Sequence, residues 1–60
     1  MADLFPPTLA EQIACIEREL GMRRIVYPRR IADKKMSQAK ADKEIAAMEA
    51  VLATLRKMAG

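Results

Sequence analysis

The feature of this sequence that most constrains its fold is a pair of apolar stripes, each repeating at helical spacing. The first recurs at steps of three, four or seven residues: Leu9, Ile13, Ile16, Leu20, Tyr27 and Ile31. The second recurs at steps of three or four: Ala41, Ile45, Met48, Leu52 and Leu55. Such spacing places the members of a stripe on one face of an α-helix. The sequence therefore predicts an all-α protein with two amphipathic helices.

The start of helix one is marked by prolines and a capping box. Two prolines precede Thr8 and exclude helix from residues 1–7, which we predict to be an N-terminal arm. Thr8 and Glu11 have the spacing of a capping box, in which each side chain bonds the other residue's backbone amide. We predict helix one over residues 8–32.

Two residues oppose a continuous helix one. Gly21 costs about 1 kcal/mol relative to alanine, and Pro28 costs about 3 kcal/mol inside a helix because it removes a hydrogen bond. The apolar stripe nevertheless resumes in phase beyond Pro28. We therefore prefer a helix that is kinked at the proline, with a break at Tyr27 as the alternative.

The connection between the helices is short. Residues 33–37 lack apolar periodicity and end at Ser37, a favourable N-cap residue, so we predict helix two over residues 38–58. Lys34 is the residue that we place in the left-handed conformation. A connection of this length makes the helices antiparallel, and the monomer is predicted to be an αα-hairpin.

A chain of 60 residues is too small to bury a large core. Chains of this size usually need disulfides, a metal or a partner subunit, and this one has a single cysteine, Cys15, and no histidine. We predict a homodimer in which two hairpins form a four-helix bundle; a hairpin that folds only on another protein is the alternative. The predicted dimer core is Ile13, Ile16, Leu20, Ile45, Met48, Leu52 and Leu55.

The residue inventory argues against catalysis. Without histidine there is no Cys/His or Ser/His pair, and two glycines cannot build a phosphate-binding loop. We predict a non-enzymatic protein with no cofactor and no metal site. No stretch of 18 apolar residues is present, so we expect no membrane association and a cytoplasmic location.

The positive charge is concentrated in one segment. Residues 1–22 carry a net charge of −3, residues 23–35 a net charge of +5 and residues 36–60 a net charge of +1. One interpretation is a solvated rim, and the other is a contact surface for phosphate or an acidic protein face, which suits arginine. The predicted partner-binding residues are Arg23, Arg24, Tyr27, Arg29, Arg30, Lys34 and Lys35.

Several apolar or aromatic residues can be interpreted either as packing residues or as functional residues. Tyr27 could stack on a partner, but packing on the core stripe with its hydroxyl at the surface is the preferred interpretation. Cys15 lies next to the stripe and is interpreted as a small core or dimer-flank residue. The methionines Met22, Met48 and Met58 are interpreted as core gap-fillers rather than a binding surface.

Three segments carry a resemblance to a known group of proteins. They are Glu17 to Arg29 (Glu-Arg-Glu-Leu-Gly-Met-Arg-Arg-Ile-Val-Tyr-Pro-Arg), Met36 to Ala41 (Met-Ser-Gln-Ala-Lys-Ala) and Glu44 to Ala50 (Glu-Ile-Ala-Ala-Met-Glu-Ala). Together they resemble a family of short, uncharacterised helical proteins encoded by bacteriophages and prophages. The likeness extends from about Glu11 to Leu55 and implies a phage context, in a bacterial host cell, without implying any particular chemistry.

A phage context favours one class of function. Very small phage proteins without catalytic groups often occlude a host protein, so we expect this chain to bind and inhibit or modulate a host defence or regulatory protein. The first alternative is a non-specific nucleic-acid-binding protein that uses its arginines and lysines on phosphates. The second alternative is a structural or assembly accessory.

Overall fold

The chain forms a two-helix hairpin in a computed structural model that describes residues 6–60. Helix α1 is Leu9–Ala32 and helix α2 is Gln38–Ala59, and the two pack against each other with no strand in the described part of the chain. The predicted all-α hairpin is confirmed. Pro6 and Pro7 are not helical, and residues 1–5 of the predicted arm lie outside the described residues.

Helix α1 begins at the capping box that the sequence predicts. The Glu11 amide donates to Thr8 Oγ1 at 3.1 Å, and the Thr8 amide donates to Glu11 Oε1 at 3.0 Å. These two bonds use amides that have no partner within the helix. The bond from the Thr8 backbone and that with the Thr8 side chain both lower the pKa of the Glu11 carboxyl.

Helix α1 continues through both residues that oppose it. Gly21 and Pro28 lie within the single helical segment, and no break occurs at Tyr27. Proline has no amide hydrogen, so the Arg24 carbonyl loses its usual partner four residues later. Pro28 is exposed, which leaves water free to reach that part of the helix. The in-phase apolar stripe on either side of Pro28 gives the helix enough packing to tolerate the defect.

The connection has the hydrogen bonds of a Schellman motif. The Lys35 amide donates to the Arg30 carbonyl at 2.8 Å, and the Lys34 amide donates to the Ile31 carbonyl at 3.0 Å. Lys34 occupies the left-handed position with φ 59°, as the sequence predicts. Ser37 then caps α2 by accepting from the Lys40 amide at 3.1 Å.

The core lies along the two predicted stripes. Leu20, Tyr27, Ala41 and Leu52 are buried. The other stripe members are half-buried: Leu9, Ile13, Ile16, Ile31, Ile45, Met48 and Leu55. No side chain in the described residues is fully enclosed. The hairpin therefore has a line of contact between two helices rather than a closed core.

Three residues assigned to packing lie outside the hairpin core. Cys15, Met22 and Met58 are exposed, so none of them packs in the core of the single hairpin, while the dimer-flank interpretation of Cys15 stays a prediction. At about 100° per residue, Met22 points roughly 160° away from Leu20, and Met58 about 120° away from Leu52. Met48, which is on the stripe, is half-buried as expected.

Candidate interaction surface

The predicted partner-binding residues separate into two groups in the structure. The first group is engaged within the hairpin. Arg24 Nη2 donates to Glu49 Oε2 at 2.7 Å, which joins α1 to α2. Arg23 Nη1 donates to the Tyr27 hydroxyl at 2.9 Å, and the same guanidinium lies 3.8 Å from Glu19 and 3.9 Å from Glu44. Both arginines are therefore paired within the hairpin, while their side chains remain 37% and 54% exposed, and their role in partner binding stays a prediction.

Tyr27 belongs to the same engaged group. Its side chain is buried, with 9% of its surface exposed, and its hydroxyl accepts the bond from Arg23 at the edge of the core. The ring is therefore not available for stacking on a base or an incoming side chain. The packing role preferred from the sequence is the one that the structure shows.

The second group is exposed and forms the end of the hairpin. We call it the basic tip: Arg29, Arg30, Lys34 and Lys35. Within residues 6–60 none of these four cations forms an ion pair with a carboxylate. The two arginines occupy the last turn of α1, where the helix dipole favours positive charge. The two lysines follow in the Schellman turn, so the backbone hydrogen bonds of that turn fix the positions from which all four side chains extend.

The net charge of the described residues is located at this end of the molecule. Residues 29–43 hold six basic and two acidic side chains. Residues 6–28 hold three of each sign, and residues 44–60 hold two of each. The body of the hairpin is therefore neutral overall, while the tip region has a net charge of +4.

Exposed apolar side chains lie beside the basic tip. Ile25 is 62% exposed and Val26 is 41% exposed. Each precedes a tip arginine by four residues, so Ile25 and Arg29 share one face of α1, as do Val26 and Arg30. Val26 and Arg30 also line the same shallow groove, together with Met22 and the rim residues Glu19, Arg23 and Tyr27. An apolar side chain next to a guanidinium that forms no ion pair within residues 6–60 suits protein recognition.

The ion pairs between the helices were not predicted from the sequence. Arg24 with Glu49 and Arg56 with Glu17 are both 2.7 Å apart, and both lie on the same side of the hairpin. The signal was present in the spacing, because Glu17 and Arg24 are seven residues apart on α1, as Glu49 and Arg56 are on α2. Recognising it requires the register of the two helices, which depends on the connection closing at Lys34.

Fold and surface together define the class as an all-α helical hairpin with a cationic tip. Compared with protein-family profiles, curated proteins and solved structures, the chain matches none. Neither α1 nor α2 contains a segment long and apolar enough to cross a bilayer.

Proposed function

We propose that this chain is a small non-enzymatic interaction protein that binds an acidic surface of a partner protein through its basic tip. The observation that carries the proposal is the placement of charge: four exposed cations without ion pairs in the described residues cluster at the end of an otherwise neutral hairpin. Arginine offers a planar set of donors that matches carboxylates, which suits such a contact. We propose a homodimer as the functional form.

The apolar neighbours of the tip favour a protein over a nucleic acid. Ile25 and Val26 are large, exposed and one helical turn from Arg29 and Arg30. Protein interfaces use such side chains as anchors, whereas a phosphate backbone offers nothing for them to pack against. The contact that we propose is therefore a mixed surface with an apolar centre and a cationic end.

The resemblance to phage-encoded proteins suggests which kind of protein the partner is. We propose that it is a protein of the bacterial host, in the host cytoplasm, whose own contacts are blocked when the tip occupies its acidic face. Inhibition by occlusion requires affinity and shape only, which is consistent with a chain that lacks histidine.

A second candidate function is non-specific binding to nucleic acid. It is favoured by the four tip cations, which form no ion pair in the described part of the chain and could each contact a phosphate. Contact with several phosphates makes binding fall steeply with salt concentration, whereas a protein interface with an apolar centre depends on salt mainly through its charged rim. Salt dependence therefore distinguishes the two candidates.

The test combines affinity capture from host cells with a charge reversal at the tip. We expect a host protein to co-elute with the wild type and to be lost with Arg29→Glu/Arg30→Glu. The matched control is Arg18→Glu/Lys57→Glu, which makes the same change in net charge away from the tip and leaves the four ion pairs intact. The control should retain the partner, and loss of the partner with both variants would show that net charge alone is responsible.

The nucleic-acid candidate is tested in parallel. Random duplex DNA, single-stranded DNA and RNA are titrated in gel-shift assays at physiological salt with the wild type and both double variants. We expect no sub-micromolar binding. Sub-micromolar binding that is lost in Arg29→Glu/Arg30→Glu would favour the nucleic-acid function instead, and full biological activity in that variant would exclude the tip from either function.

A further inference from the structure

Three large apolar side chains form a cluster on the outer face of α1. Met22, Ile25 and Val26 are 55%, 62% and 41% exposed. At 100° per residue they fall within an arc of about 100°, and the middle of this arc points away from Leu20, the buried residue that faces α2. We call these three residues the apolar triad. The triad therefore lies on the side of α1 that does not pack against α2.

The apolar triad continues into the cations of the basic tip. Arg29 follows Ile25 by four residues, and Arg30 follows Val26 by four, which places each arginine about 6 Å farther along α1. Neither arginine forms an ion pair in the described part of the chain. Arg18, at the other end of the triad, belongs to the body of the hairpin, which is neutral overall. This surface is therefore apolar at its centre and most strongly cationic at the end toward the tip.

The shallow groove beside the apolar triad has the same combination of properties. Met22, Val26 and Arg30 line it, and at its rim Glu19 and Arg23 are 3.8 Å apart, so the charges of this pair offset each other. The excess charge of the groove is therefore that of Arg30. A binding partner of this surface must supply apolar atoms for the triad and negative charge for the arginines beyond it.

The backbone of the hairpin limits how a protein segment can bind here. Adding a strand requires the free edge of a β-sheet, and the described residues contain no strand. Docking of a proline-rich segment requires exposed aromatic rings, and Tyr27, the aromatic residue of residues 6–60, is buried. An amphipathic helix needs neither, because it lays its apolar stripe against the side chains of another surface. The surface of α1 therefore suits a helix as its ligand.

We propose that the outer face of α1 binds an acidic amphipathic helix of the partner protein, with the apolar stripe of that helix on the apolar triad and its carboxylates on Arg29 and Arg30. The inference rests on the proposed function and specifies which element of the partner is bound and in which direction it lies. Apolar residues one turn apart on the partner helix match Met22 and Val26, which are also one turn apart, so two anchors are seated together.

The helix dipole favours one direction for the partner helix. Acidic residues stabilise a helix when they lie in its first turn. Because Arg29 and Arg30 lie at the tip end of the apolar triad, a partner helix with an acidic first turn begins at the tip and runs antiparallel to α1. Its carboxylates therefore precede its apolar anchors in the partner's sequence by about one turn.

The class of ligand is tested by selection from a displayed library of random peptides of about 20 residues, with the full chain as the target. We expect the selected peptides to be helical when bound and to carry leucine, isoleucine, methionine or phenylalanine at positions one turn apart. We also expect aspartate or glutamate about one turn before the first of these. No enrichment, selected peptides without acidic residues, or acidic residues placed after the apolar ones would each overturn the proposal.

The surface is tested with one selected peptide and two matched pairs of variants. Val26 and Val51 have similar exposures of 41% and 46%, but Val51 lines a separate groove that consists of α2 residues alone. In fluorescence anisotropy we expect Val26→Asp to weaken peptide binding at least tenfold and Val51→Asp to change it less than twofold. Met22→Ala and Met58→Ala repeat the comparison at two exposed methionines without adding a charge. Wild-type affinity in both Val26→Asp and Met22→Ala would overturn the proposed surface.

Two other occupants of the apolar triad are distinguished by the same variants. Vesicles of phosphatidylcholine with 30% phosphatidylserine are titrated with the wild type and with Val26→Asp, and we expect no binding to either. Vesicle binding that Val26→Asp abolishes would overturn the proposal in favour of an anionic lipid surface. Sedimentation equilibrium at 100 µM tests a second copy of the chain, and a wild-type dimer that Val26→Asp dissociates would overturn the proposal in favour of that copy.

Failure of this inference is distinguished from failure of the proposed function by affinity capture of the host partner with the same variants. We expect the partner to be lost with Arg29→Glu/Arg30→Glu, with Val26→Asp and with Met22→Ala. Loss with the charge reversal alone, and retention with both Val26→Asp and Met22→Ala, would overturn the inference and leave the proposed function intact. Retention with Arg29→Glu/Arg30→Glu would contradict the proposed function, and with it the inference.

Discussion

Arg24 Nη2 and Glu49 Oε2 lie 2.7 Å apart and join the middle of α1 to the middle of α2, across 25 residues of sequence. The bond pairs Arg24 within the chain and adds it to the contacts that fix the register of the hairpin. Both side chains are about half exposed, so water competes for each charge. The bridge therefore contributes more to register than to stability.

A double-mutant cycle tests the strength of this bridge. With Arg24→Gln and Glu49→Gln, the coupling in the free energy of unfolding should be about 0.2 to 1 kcal/mol, because exposed ion pairs are weak. Urea denaturation at fixed protein concentration measures it. The cycle for Glu17 and Arg56 is the control and should give a similar value. A coupling near zero in both cycles would mean that neither bridge is maintained in solution.

Two substitutions of Tyr27 separate the contribution of its buried ring to the free energy of unfolding from that of its hydroxyl group. Tyr27→Ala should cost about 3 to 5 kcal/mol because it empties one of the four buried positions, and this is close to the whole stability of a small domain. Tyr27→Phe should cost about 0.5 to 1 kcal/mol, since it removes only the acceptor of the Arg23 bond. Thermal unfolding by circular dichroism separates the two effects.

The control for Tyr27 is its exposed neighbour on α1. Ile25→Ala should change the free energy of unfolding by no more than about 0.5 kcal/mol, because Ile25 is 62% exposed. If Ile25→Ala and Tyr27→Ala destabilised the hairpin equally, the orientation of α1 described above would be wrong.

The fold was predictable because its signals are local. The two stripes, the Thr8 capping box and the Ser37 cap each involve residues a few positions apart, and the structure shows all of them. The candidate site was only half predictable. Whether an arginine is free depends on residues of the other helix, so composition could not separate Arg24, which meets Glu49, from Arg29, which meets no carboxylate in residues 6–60.

Pro28 should be a net cost to the stability of α1. Pro28→Ala restores an amide that can donate to the Arg24 carbonyl, so we expect the free energy of unfolding to rise by about 1 to 3 kcal/mol, after allowing for the stiffness that proline gives the unfolded chain. In a domain of this size each 1 kcal/mol raises Tm by about 4 to 8 °C.

Gly21→Ala is the comparison for Pro28. A Cβ at Gly21 meets nothing within 4 Å, so the substitution should add about 1 kcal/mol through helix propensity alone. If Gly21→Ala stabilised the protein while Pro28→Ala destabilised it, Pro28 would be shaping the direction of the basic tip rather than interrupting a helix.

The bonds of the ionised Glu11 carboxylate should make the free energy of unfolding decrease at acid pH. Its bonds to Thr8 lower the pKa of its carboxyl in the folded state, so the stability that they give is fully present above the unfolded pKa of about 4.3 and is lost as pH falls through the folded value. When denaturation midpoints are measured from pH 7 to pH 2.5, they should therefore decline less steeply toward acid pH for Glu11→Gln than for the wild type. Asp33→Asn removes a carboxylate that forms no ion pair and no side-chain hydrogen bond within residues 6–60, and it serves as the control. Identical acid slopes for Glu11→Gln and the wild type would contradict the assignment.

The left-handed backbone conformation of Lys34 should destabilise the fold, and glycine at this position should remove that effect. Its φ of 59° is unfavourable for a residue with a Cβ, and the amides of Lys34 and Lys35 are both used in the Schellman turn. Lys34→Gly should therefore raise the free energy of unfolding by about 1 kcal/mol. Lys35→Gly removes the same charge from a residue whose φ is not positive, so it should leave stability unchanged or lower it.

Both variants delete one of the four tip cations, and we expect both to weaken partner binding to a similar extent. Equal stability changes in the two variants would mean that Lys34 is not held in the left-handed conformation, whereas a loss of binding in Lys35→Gly alone would mean that the tip acts through one lysine and not through its summed charge.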